Sequence, residues 1–504
     1  MSHPATPKTD RALQATFAGV LLLALWVLTR SWDAPILDRY EFRQLQTALS
    51  TWWLAREGWQ LNYLLPLFGP PWSVPMEFPT YQVLVAFVHG LSGLPLEQAG
   101  RLTAILMWLA CLPAVYDLLA VARLAPSRRL IVLMLTASSP VYLFYARTFM
   151  IETTALCAAV WFLAFYRRAL AEPRNPALIV AATILAALAA LTKVTTFAVF
   201  GVPAALLTLA AWHQRRQSPA PGGMVRLGFA AIIPMLAAVG LAWWWVRHGD
   251  AVKDSNPFTG FLTARELRDW NFGPWSLRLD SSFWWRAQET LTGHILSEGA
   301  LMLAIAAGCF AGRRARRVAL AAAAGFAAGP LVFANLYHMH DYYYAANAML
   351  LVGGAGVLLA AAWDDPRLPR GANWLLLGLM FATQAQAYYR GYHSHHRHPP
   401  AAPPALAETV RTTVPADGVV LIYGADWNPL LPYYFQRRAL MVPGERENET
   451  AVLEEILRRL PPAKIAAMVV HGEKIRSRTD FIAERAARFG LSPLPAARGA
   501  HEDL

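Results

Sequence analysis

Acidic side chains lie close to the ends of apolar segments in this chain, where they can act on a substrate at a membrane surface. The segment 37–48 carries Asp38 and Glu41 just before a predicted helix at 42–57. A carboxylate can take the proton of an attacking hydroxyl, so both are candidate general bases. An equally good interpretation is a solvated loop whose acid is stabilised by the dipole at a helix N-terminus.

Three further charged groups lie at the ends of other apolar segments. Arg147 and Glu152 flank the start of one segment, and Lys193 separates two others. Glu152 falls inside the apolar boundary, where an unpaired carboxylate is costly. An Arg147–Glu152 ion pair would account for both residues, and Lys193 could simply extend to the interface. The functional alternative is that Lys193 binds a lipid phosphate.

An H-M-H-D-Y-Y-Y segment lies at one more helix end. Its aromatic residues, Tyr342 and Tyr343 among them, are typical of the belt at a membrane–water interface. His338, His340 and Asp341 beside these rings are unusual for a belt alone. We therefore treat the histidines and tyrosines as candidate ligands of a substrate.

Composition restricts the class of protein that can present these groups. Of 504 residues, 56% are hydrophobic and 15% are charged, against roughly a quarter charged in ordinary soluble domains. The mean hydropathy is +0.31. These values exclude a single soluble domain, a disordered chain and a collagen-like chain, and they indicate a polytopic membrane protein. The three cysteines lie in apolar runs and form no disulfide framework or zinc motif.

Eleven apolar segments are long enough, or nearly long enough, to cross a bilayer. They are 14–29, 101–122, 130–146, 151–166, 177–192, 195–212, 227–246, 299–312, 318–336, 342–363 and 373–388. No small-residue cleavage site follows the first of them, so we interpret it as an uncleaved membrane helix. The segment 79–91 is shorter, and we expect it to be interfacial or re-entrant.

Loop charges predict the orientation of these spans. With the N-terminus in the cytoplasm, 17 Lys and Arg residues fall on the inner side, whereas the short outer loops carry only Arg147 and Lys193. The net charge of +12 lies wholly in the first 400 residues, because 401–504 contain 13 basic and 13 acidic residues. A basic membrane part of this kind indicates cytoplasmic loops rather than nucleic-acid binding.

The same orientation places a small domain outside the membrane. Buried strands are predicted at 418–424 and 463–470, and amphipathic helices at 449–460 and 479–489. The predicted domain bounds are 1–392 for the membrane domain with outer loops 30–100 and 247–298, 393–404 for a linker, and 405–504 for an α/β domain. The four histidines of the linker could bind a metal, but a solvated linker is the better interpretation.

The order of these features resembles the GT-C membrane glycosyltransferases. Within them it resembles the bacterial family 39/83 group, which is related to protein O-mannosyltransferases and lipid A aminoarabinose transferases. The segment 40–44 (Y-E-F-R-Q) is similar to an H-E-W-R-Q or D-E-x-R signature, and 77–79 (E-F-P) to an E-F-P or K-P-P segment. The segment 426–429 (D-W-N-P), with Tyr433 and Tyr434, looks like a motif of the outer domain of such proteins. The resemblance spans essentially the whole chain.

This resemblance implies an α-helical GT-C membrane domain of about eleven helices and a sugar donor linked to polyprenyl phosphate. Glu41 is the implied catalytic base and Asp38 the second choice, because the usual D-E pair appears here as Tyr40–Glu41. The implied reaction is a single inverting displacement. The absence of a Lys-Pro-Pro segment argues against a donor pocket like that of the aminoarabinose transferases. The residues implied to bind substrate or to orient such groups are Arg43, Glu77, Arg147, Glu152, Lys193, His338, His340, Tyr342 and Tyr343.

The implied reaction requires no cofactor, because fixed cations can stabilise a leaving lipid phosphate. No metal site is indicated. The expected partners are a polyprenyl-phosphate sugar, an envelope glycan, lipid or protein acceptor, and membrane lipids, with no nucleic acid. The expected location is a bacterial inner membrane. A lipid-linked glycan polymerase or ligase is one alternative, and a transporter or flippase is another, although ionisable residues at mid-membrane and an internal repeat would favour the latter.

Overall fold

The computed structural model describes residues 7–217, 222–398, 402–442 and 450–492, and it is 73% helical. Apolar, alanine-rich runs with good helix propensity form most of its length. The helices up to residue 397 are α1 (Pro7–Leu28), α2 (Glu41–Glu57), α3 (Thr80–Ser92), α4 (Leu96–Leu118), α5 (Pro126–Ser138), α6 (Pro140–Tyr145), α7 (Glu152–Ala171), α8 (Pro176–Thr192), α9 (Val194–Gln217), α10 (Gly223–Asp254), α11 (Arg268–Phe272), α12 (Trp275–Leu279), α13 (Ser281–Thr290), α14 (Glu298–Gly308), α15 (Arg313–Val332), α16 (Ala334–Met339), α17 (Tyr344–Ala362), α18 (Arg370–Gly391) and α19 (His393–Arg397).

Within the described residues, seven helices are long and apolar enough to span a membrane, which makes this a multi-pass membrane protein. They are Asp10–Leu28, Leu96–Ala122, Glu152–Ala171, Val194–Gln217, Gly223–Asp254, Arg313–Val332 and Asp341–Ala362. A pair bent by 89°, Ser281–Ile295 with Glu298–Gly308, would make an eighth, and α8 is apolar but 17 residues long. The predicted count of eleven therefore stays a prediction.

Contacts between Cα atoms divide the chain into two compact units. The first comprises the described residues of Met1–Trp32, Arg101–Trp244 and Arg268–His398. Its central element is α17, where 72% of the apolar stretch is buried, more than in any other candidate span. Close packing of α17 against α5 depends on Gly356, because a Cβ there would lie 2.9 Å from the Cα of Val132.

The second unit comprises the described residues of Asp33–Gly100, Trp245–Leu267 and Pro399–Leu504. Its C-terminal part contains the strands β1 (Val419–Tyr423), β2 (Arg438–Val442) and β3 (Ile465–Val470), which form a parallel sheet in the order β2-β1-β3. Its helices are α20 (Ala405–Thr413), α21 (Leu430–Phe435), α22 (Thr450–Arg458), α23 (Glu473–Arg476) and α24 (Thr479–Arg488). The predicted α/β character and both predicted strands are confirmed, and β2 is an additional strand.

The first predicted outer loop extends this sheet. The backbone N–H groups of Ala439 and Met441 donate to the carbonyl oxygens of Pro66 and Leu67, at 3.0 and 2.7 Å. The segment therefore lies along β2 as an antiparallel addition, with Phe68 opposite Leu440. The compact units thus do not follow the predicted domain bounds, because 33–100 pack with the C-terminal sheet.

The predicted linker at 393–404 is partly helical. Its first residues form α19 in the first unit, and His396 is 3% exposed. The expectation of a solvated linker is therefore wrong at His396, because this ring packs among aromatic side chains such as Phe144, 5.4 Å away between centroids.

Candidate active site

The two candidate bases lie at the start of α2 in the second unit. Tyr40 adopts a left-handed conformation (φ 60°) and turns the chain into the helix, so Glu41 is the first residue of the first turn. Asp38 is buried and accepts a hydrogen bond from Nε2 of Gln44. Glu41 is half-buried, and its carboxylate has no hydrogen-bond or ion-pair partner among the described residues. The two acids therefore have different environments although they are three residues apart.

Arg43 and Glu77 form an ion pair in the same unit. The Arg43 guanidinium also donates to Oε1 of Gln46 at 2.6 Å. The buried Tyr63 hydroxyl donates to the carbonyl oxygen of Glu77 at 3.0 Å and accepts from the N–H of Met76 at 2.8 Å, which fixes the backbone beside the pair. Burial, together with the negative charge of Glu77, raises the pKa of Tyr63, so its hydroxyl stays protonated.

The D-W-N-P segment of the C-terminal part lies against the start of α2. The Phe42 and Trp427 rings meet edge to face with 4.7 Å between centroids. The Tyr434 hydroxyl accepts a hydrogen bond from the backbone N–H of Ile36 at 2.9 Å. Two residues of the predicted outer-domain motif thus contact the chain on either side of Asp38 and Glu41.

In the first unit, the side chain of Arg147 is 1% exposed and its orientation is fixed by a histidine. Its Nε donates to Nε2 of His396 at 2.5 Å, and Nδ1 of His396 is hydrogen-bonded to the Tyr388 hydroxyl. Because Nε2 accepts, the ring is neutral and carries its proton on Nδ1. Burial, assisted by the nearby positive charge of Arg147, lowers the pKa of His396 to about 2. Arg147 thus keeps its charge beside a neutral partner.

Lys193 lies at the break between α8 and α9. Its ammonium forms an ion pair with Glu152, the first residue of α7, and the two side chains are 5% and 2% exposed. The same ammonium lies 4.2 Å from the ring centroid of Tyr343 and 5.2 Å from that of Tyr342, a cation–π arrangement. The alternative interpretation of an Arg147–Glu152 ion pair is therefore wrong, because Glu152 pairs with a lysine 41 residues further along the chain.

The tyrosine pair continues this cluster. The Tyr342 and Tyr343 rings stack with 4.7 Å between centroids, and His340 stacks on Tyr342 at 5.2 Å. Buried Asp341, the next residue, accepts a hydrogen bond from the Tyr145 hydroxyl at 2.5 Å, two residues before Arg147. The segment 340–343 thereby connects the surroundings of Arg147 and Lys193.

His338 belongs to a different environment. Its ring contacts Phe283 with 5.9 Å between centroids. Burial, with the nearby positive charge of Arg286, lowers the pKa of His338, so the ring is neutral near pH 7. His338 therefore supplies a polar neutral ring rather than a fixed cation.

Several buried polar atoms near Lys193 have no hydrogen-bond partner among the described residues. They are Oε2 of Glu152 and the hydroxyl oxygens of Thr153, Thr154, Thr195 and Thr196. All belong to the first turns of α7 and α9. Buried polar groups are nearly always hydrogen-bonded, so ordered water or a polar ligand is expected there. Sugar hydroxyl groups have the required chemistry.

Comparison with known proteins identifies the fold. No family model matches the chain, and no curated protein matches it. The crystal structure of ArnT from Cupriavidus metallidurans bound to undecaprenyl phosphate is similar, with a TM-score of 0.60 and 14% identity over 98% of this chain and 97% of ArnT. The apo state of ArnT gives a TM-score of 0.52 and 14% identity over 94% and 91%. The archaeal oligosaccharyltransferase AglB from Archaeoglobus fulgidus, in complex with an inhibitory peptide and a dolichol-phosphate, gives 0.53 and 10% over 90% and 69%.

This chain has the GT-C fold. The fold expected from the motif order is thereby confirmed. Within it, the structure groups the predicted site residues by unit. Asp38, Glu41, Arg43 and Glu77 belong to the second unit, and the first contains Arg147, Glu152, Lys193, His338, His340, Tyr342 and Tyr343.

Two residues beside the predicted Arg147 were not predicted as site residues from the sequence. Buried His396 and Tyr388 hold the Arg147 side chain from α19 and the end of α18. The signal for His396 was a histidine-rich run immediately after the last predicted span. No group of three His, Cys, Asp or Glu residues that could hold a metal ion occurs in the described part of the chain.

Proposed function

We propose that this chain is a membrane glycosyltransferase that moves a sugar from a polyprenyl-phosphate donor to a hydroxyl group of an envelope glycan, lipid or protein. The observation that carries this proposal is the likeness to ArnT along nearly the full length of both chains, because the ArnT structure contains undecaprenyl phosphate. The cation and tyrosine cluster of the first unit supports it independently, since this cluster fits a phosphate and the nearby unpartnered hydroxyls fit a sugar.

In the proposed reaction Glu41 is the general base. Its carboxylate takes the proton of the acceptor hydroxyl as the oxygen attacks the anomeric carbon, and the bond from that carbon to the phosphate oxygen breaks. The lipid monophosphate leaves and the anomeric configuration inverts. Glu41 is preferred to Asp38 because the buried Asp38 carboxylate already accepts a hydrogen bond from Gln44, whereas Glu41 is half-buried at the start of α2.

We assign the stabilisation of the negative charge that develops on the phosphate to fixed cations. Arg147 is the first choice because its partner His396 is neutral, so the guanidinium charge is not cancelled by that contact. Lys193 is the second, since Glu152 balances part of its charge. Tyr342, Tyr343 and His340 line this region. Because these groups can stabilise the phosphate, we propose that the reaction needs no metal, and activity in excess EDTA tests that part.

The remaining assigned residues have supporting roles. Arg43 and Glu77 are proposed to bind the acceptor or to orient Glu41, since Arg43 is two residues after Glu41 on α2 and is paired with Glu77. His338 is proposed as a neutral hydrogen-bonding group near the substrate. We place the protein in a bacterial inner membrane with the N-terminus in the cytoplasm and the C-terminal α/β part outside, as the distribution of basic loops favours.

A lipid-linked polymerase or ligase is a second candidate, favoured by the likeness to the oligosaccharyltransferase AglB. That likeness covers 69% of AglB, whereas the ArnT likeness covers 97% of ArnT. The comparison therefore favours a monosaccharide donor over a lipid-linked oligosaccharide. The transferred group, measured by mass spectrometry of the product, separates the two candidates.

The deciding experiment is a transfer assay with the purified protein, radiolabelled polyprenyl-phosphate sugars and membrane extract. We expect Glu41→Gln to lower the rate by about 100-fold or more, the usual range for loss of a general base, with donor binding retained. Asp38→Asn should have a smaller effect. Glu266→Gln is the matched control, because within the described part of the chain this exposed acid pairs only with its neighbour Arg265. Equal activity of all three variants would remove Glu41 from the chemistry.

A further inference from the structure

A basic cleft of about 520 Å³ lies in the first unit, where α8 and α10 begin. Arg174, Arg215 and Arg226 line it, together with Glu172. Three arginines against one glutamate leave an excess of two positive charges. None of these residues belongs to the candidate active site.

Two of these arginines are available to an anion. Arg174 and Arg226 are exposed, and their side chains have no hydrogen-bond or ion-pair partner within the described ranges. Arg215 donates to the carbonyl oxygen of Ala171 at 3.1 Å. By contrast, Arg167, at the end of α7, is paired with Asp117 at 2.9 Å. The single glutamate in the cleft compensates only part of the repulsion among the three arginines, so a bound anion would stabilise this arrangement.

The N-terminal ends of two helices add to the positive electrostatic potential of the cleft. Both α8 and α10 have their N-termini at the cleft, so the positive ends of both helix dipoles lie there. Guanidinium groups and helix N-termini are the groups that recognise phosphate in proteins. The cleft therefore has the chemistry of a phosphate site.

An apolar groove of about 360 Å³ follows directly from the cleft. It begins at Pro176, the residue after Asn175 in the cleft lining, and follows α8 to Ile184, a length of about 12 Å at the rise of an α-helix. Its other wall includes Ile233, two turns beyond Arg226 on α10. Val180, Ile184 and Ile233 are 55%, 54% and 42% exposed, so their apolar surfaces are not covered by protein.

From this juxtaposition we propose that the cleft and the groove form one binding site for an anionic glycerophospholipid. The phosphate of the lipid would bind Arg174, Arg215 and Arg226, and one acyl chain would lie in the groove. The site is separate from the proposed donor site, because α8 extends about 24 Å from Pro176 to Thr192 before it reaches Lys193. In the proposed orientation this end faces the cytoplasmic leaflet, which carries anionic lipid.

Native mass spectrometry of the purified full chain, with added phosphatidylglycerol or phosphatidylcholine, tests the site. The wild type is expected to retain phosphatidylglycerol preferentially. Arg174→Gln with Arg226→Gln should lower its affinity by about 25-fold, about fivefold for each arginine. Arg316→Gln with Arg317→Gln is the matched control, because these two arginines are also exposed and their side chains have no partner among the described residues.

A second pair of variants tests the groove without changing charge. Ile184→Trp should fill the groove and lower phosphatidylglycerol retention, whereas Ile232→Trp, at an exposed residue outside the groove lining, should not. Equal retention of the two lipids by the wild type would overturn the proposal. An equal loss in both double-arginine variants would also overturn it, since it would indicate a diffuse charge effect. Displacement of phosphatidylglycerol by polyprenyl phosphate at lower concentration would assign the site to the donor lipid and would reject the proposal as well.

Discussion

The ion pair between Lys193 and Glu152 is buried on both sides, so its two partners are interdependent. Lys193→Met leaves an uncompensated carboxylate in an apolar region, which is expected to cost about 3–5 kcal/mol of stability. Adding Glu152→Gln removes that charge and should restore most of the melting temperature in detergent. Transfer activity should stay low in the double variant, because the proposed phosphate ligand is still missing.

The double variant distinguishes a structural role of this ion pair from a role of Lys193 in the reaction. Lys253→Met is a suitable control, since Lys253 is another buried lysine near an acid, with 3.7 Å between its Nζ and Oδ1 of Asp250. If the Lys193→Met, Glu152→Gln double variant regained both stability and activity, the role assigned to Lys193 would be wrong.

The lowered pKa of His396 predicts that the stability of the folded protein depends on pH. The folded-state pKa of about 2 lies below the ordinary value near 6.5, so the unfolded chain binds a proton that the folded protein does not. Stability should therefore fall as pH drops below about 6.5, by up to about 1.4 kcal/mol per pH unit from this group. His396→Gln, whose amide oxygen can still accept from Arg147, should show a weaker acid sensitivity between pH 7.5 and 5.

Melting temperatures of the wild type and of His396→Gln at the two pH values measure this effect. His396→Leu should in addition raise the donor KM, because Arg147 loses the acceptor that orients it, while the Gln variant should retain most of the donor affinity. His398→Leu is the control, since His398 is exposed. Identical acid sensitivity of wild type and the Gln variant would show that His396 does not titrate on unfolding.

The sequence indicates where charged residues lie at helix ends more readily than it indicates their partners. Charged residues at helix ends are visible in the pattern, and this identified Arg147, Glu152 and Lys193. The partners depend on the packing of distant helices, so Glu152 pairs with Lys193 and Arg147 with a histidine 249 residues away. No local spacing contains that information.

At the scale of elements, the pairing of β2 with the segment around Pro66 and Leu67 can be tested alone. The N–H groups of Ala439 and Met441 point to that segment, and alternate residues of a strand point to opposite neighbours. Ala439→Pro removes one of these donors and spares the ladder to β1. We expect a loss of about 1–3 kcal/mol and faster proteolysis within 58–79, measured in detergent.

Ala439→Thr keeps the N–H group and is the matched control, so it should behave as the wild type does toward protease. Transfer activity should fall in the proline variant, because the same unit holds the start of α2 where Glu41 lies. An unchanged cleavage rate in Ala439→Pro would show that the pairing does not stabilise the loop.

The strands illustrate why prediction succeeds for some elements only. The run 418–424 is continuous apolar sequence beside glycines, and it corresponds closely to β1. β2 has only five residues and begins with an arginine, so it lacks a clear pattern. Its antiparallel neighbour lies roughly 370 residues earlier in the chain, and such long-range pairing cannot be seen in local sequence.

At the scale of the whole molecule, the fold class is predictable because a bilayer imposes a simple rule on length and hydropathy. The number of membrane spans is harder to predict from the sequence. The predicted span 130–146 is divided at Ser139 into α5 and α6, where Pro140 begins a new helix. The predicted span 373–388 belongs to the 22-residue α18, whose polar residues, including buried Gln384, lower its hydropathy.

The predicted orientation of the chain in the membrane depends on the asymmetry of basic residues between alternate loops. We expect a cysteine at Asp417 to be labelled by an impermeant maleimide in intact spheroplasts, and one at Arg317 only after permeabilisation. Among the described residues, Asp417 lies outside the candidate spans, whereas Arg317 lies in the first turns of the candidate span Arg313–Val332, within its N-terminal cluster of four arginines. A background without Cys111, Cys157 and Cys309 removes competing thiols.

Glu266→Cys is a second outer reporter from a different loop, so agreement with Asp417→Cys distinguishes topology from local accessibility. Labelling of Arg317→Cys without permeabilisation, with protection of both outer reporters, would reverse the orientation. A reversed orientation would move Glu41 and Lys193 to the cytoplasmic side. A lipid-linked donor presented outside would then be unreachable, so this measurement also constrains the proposed function.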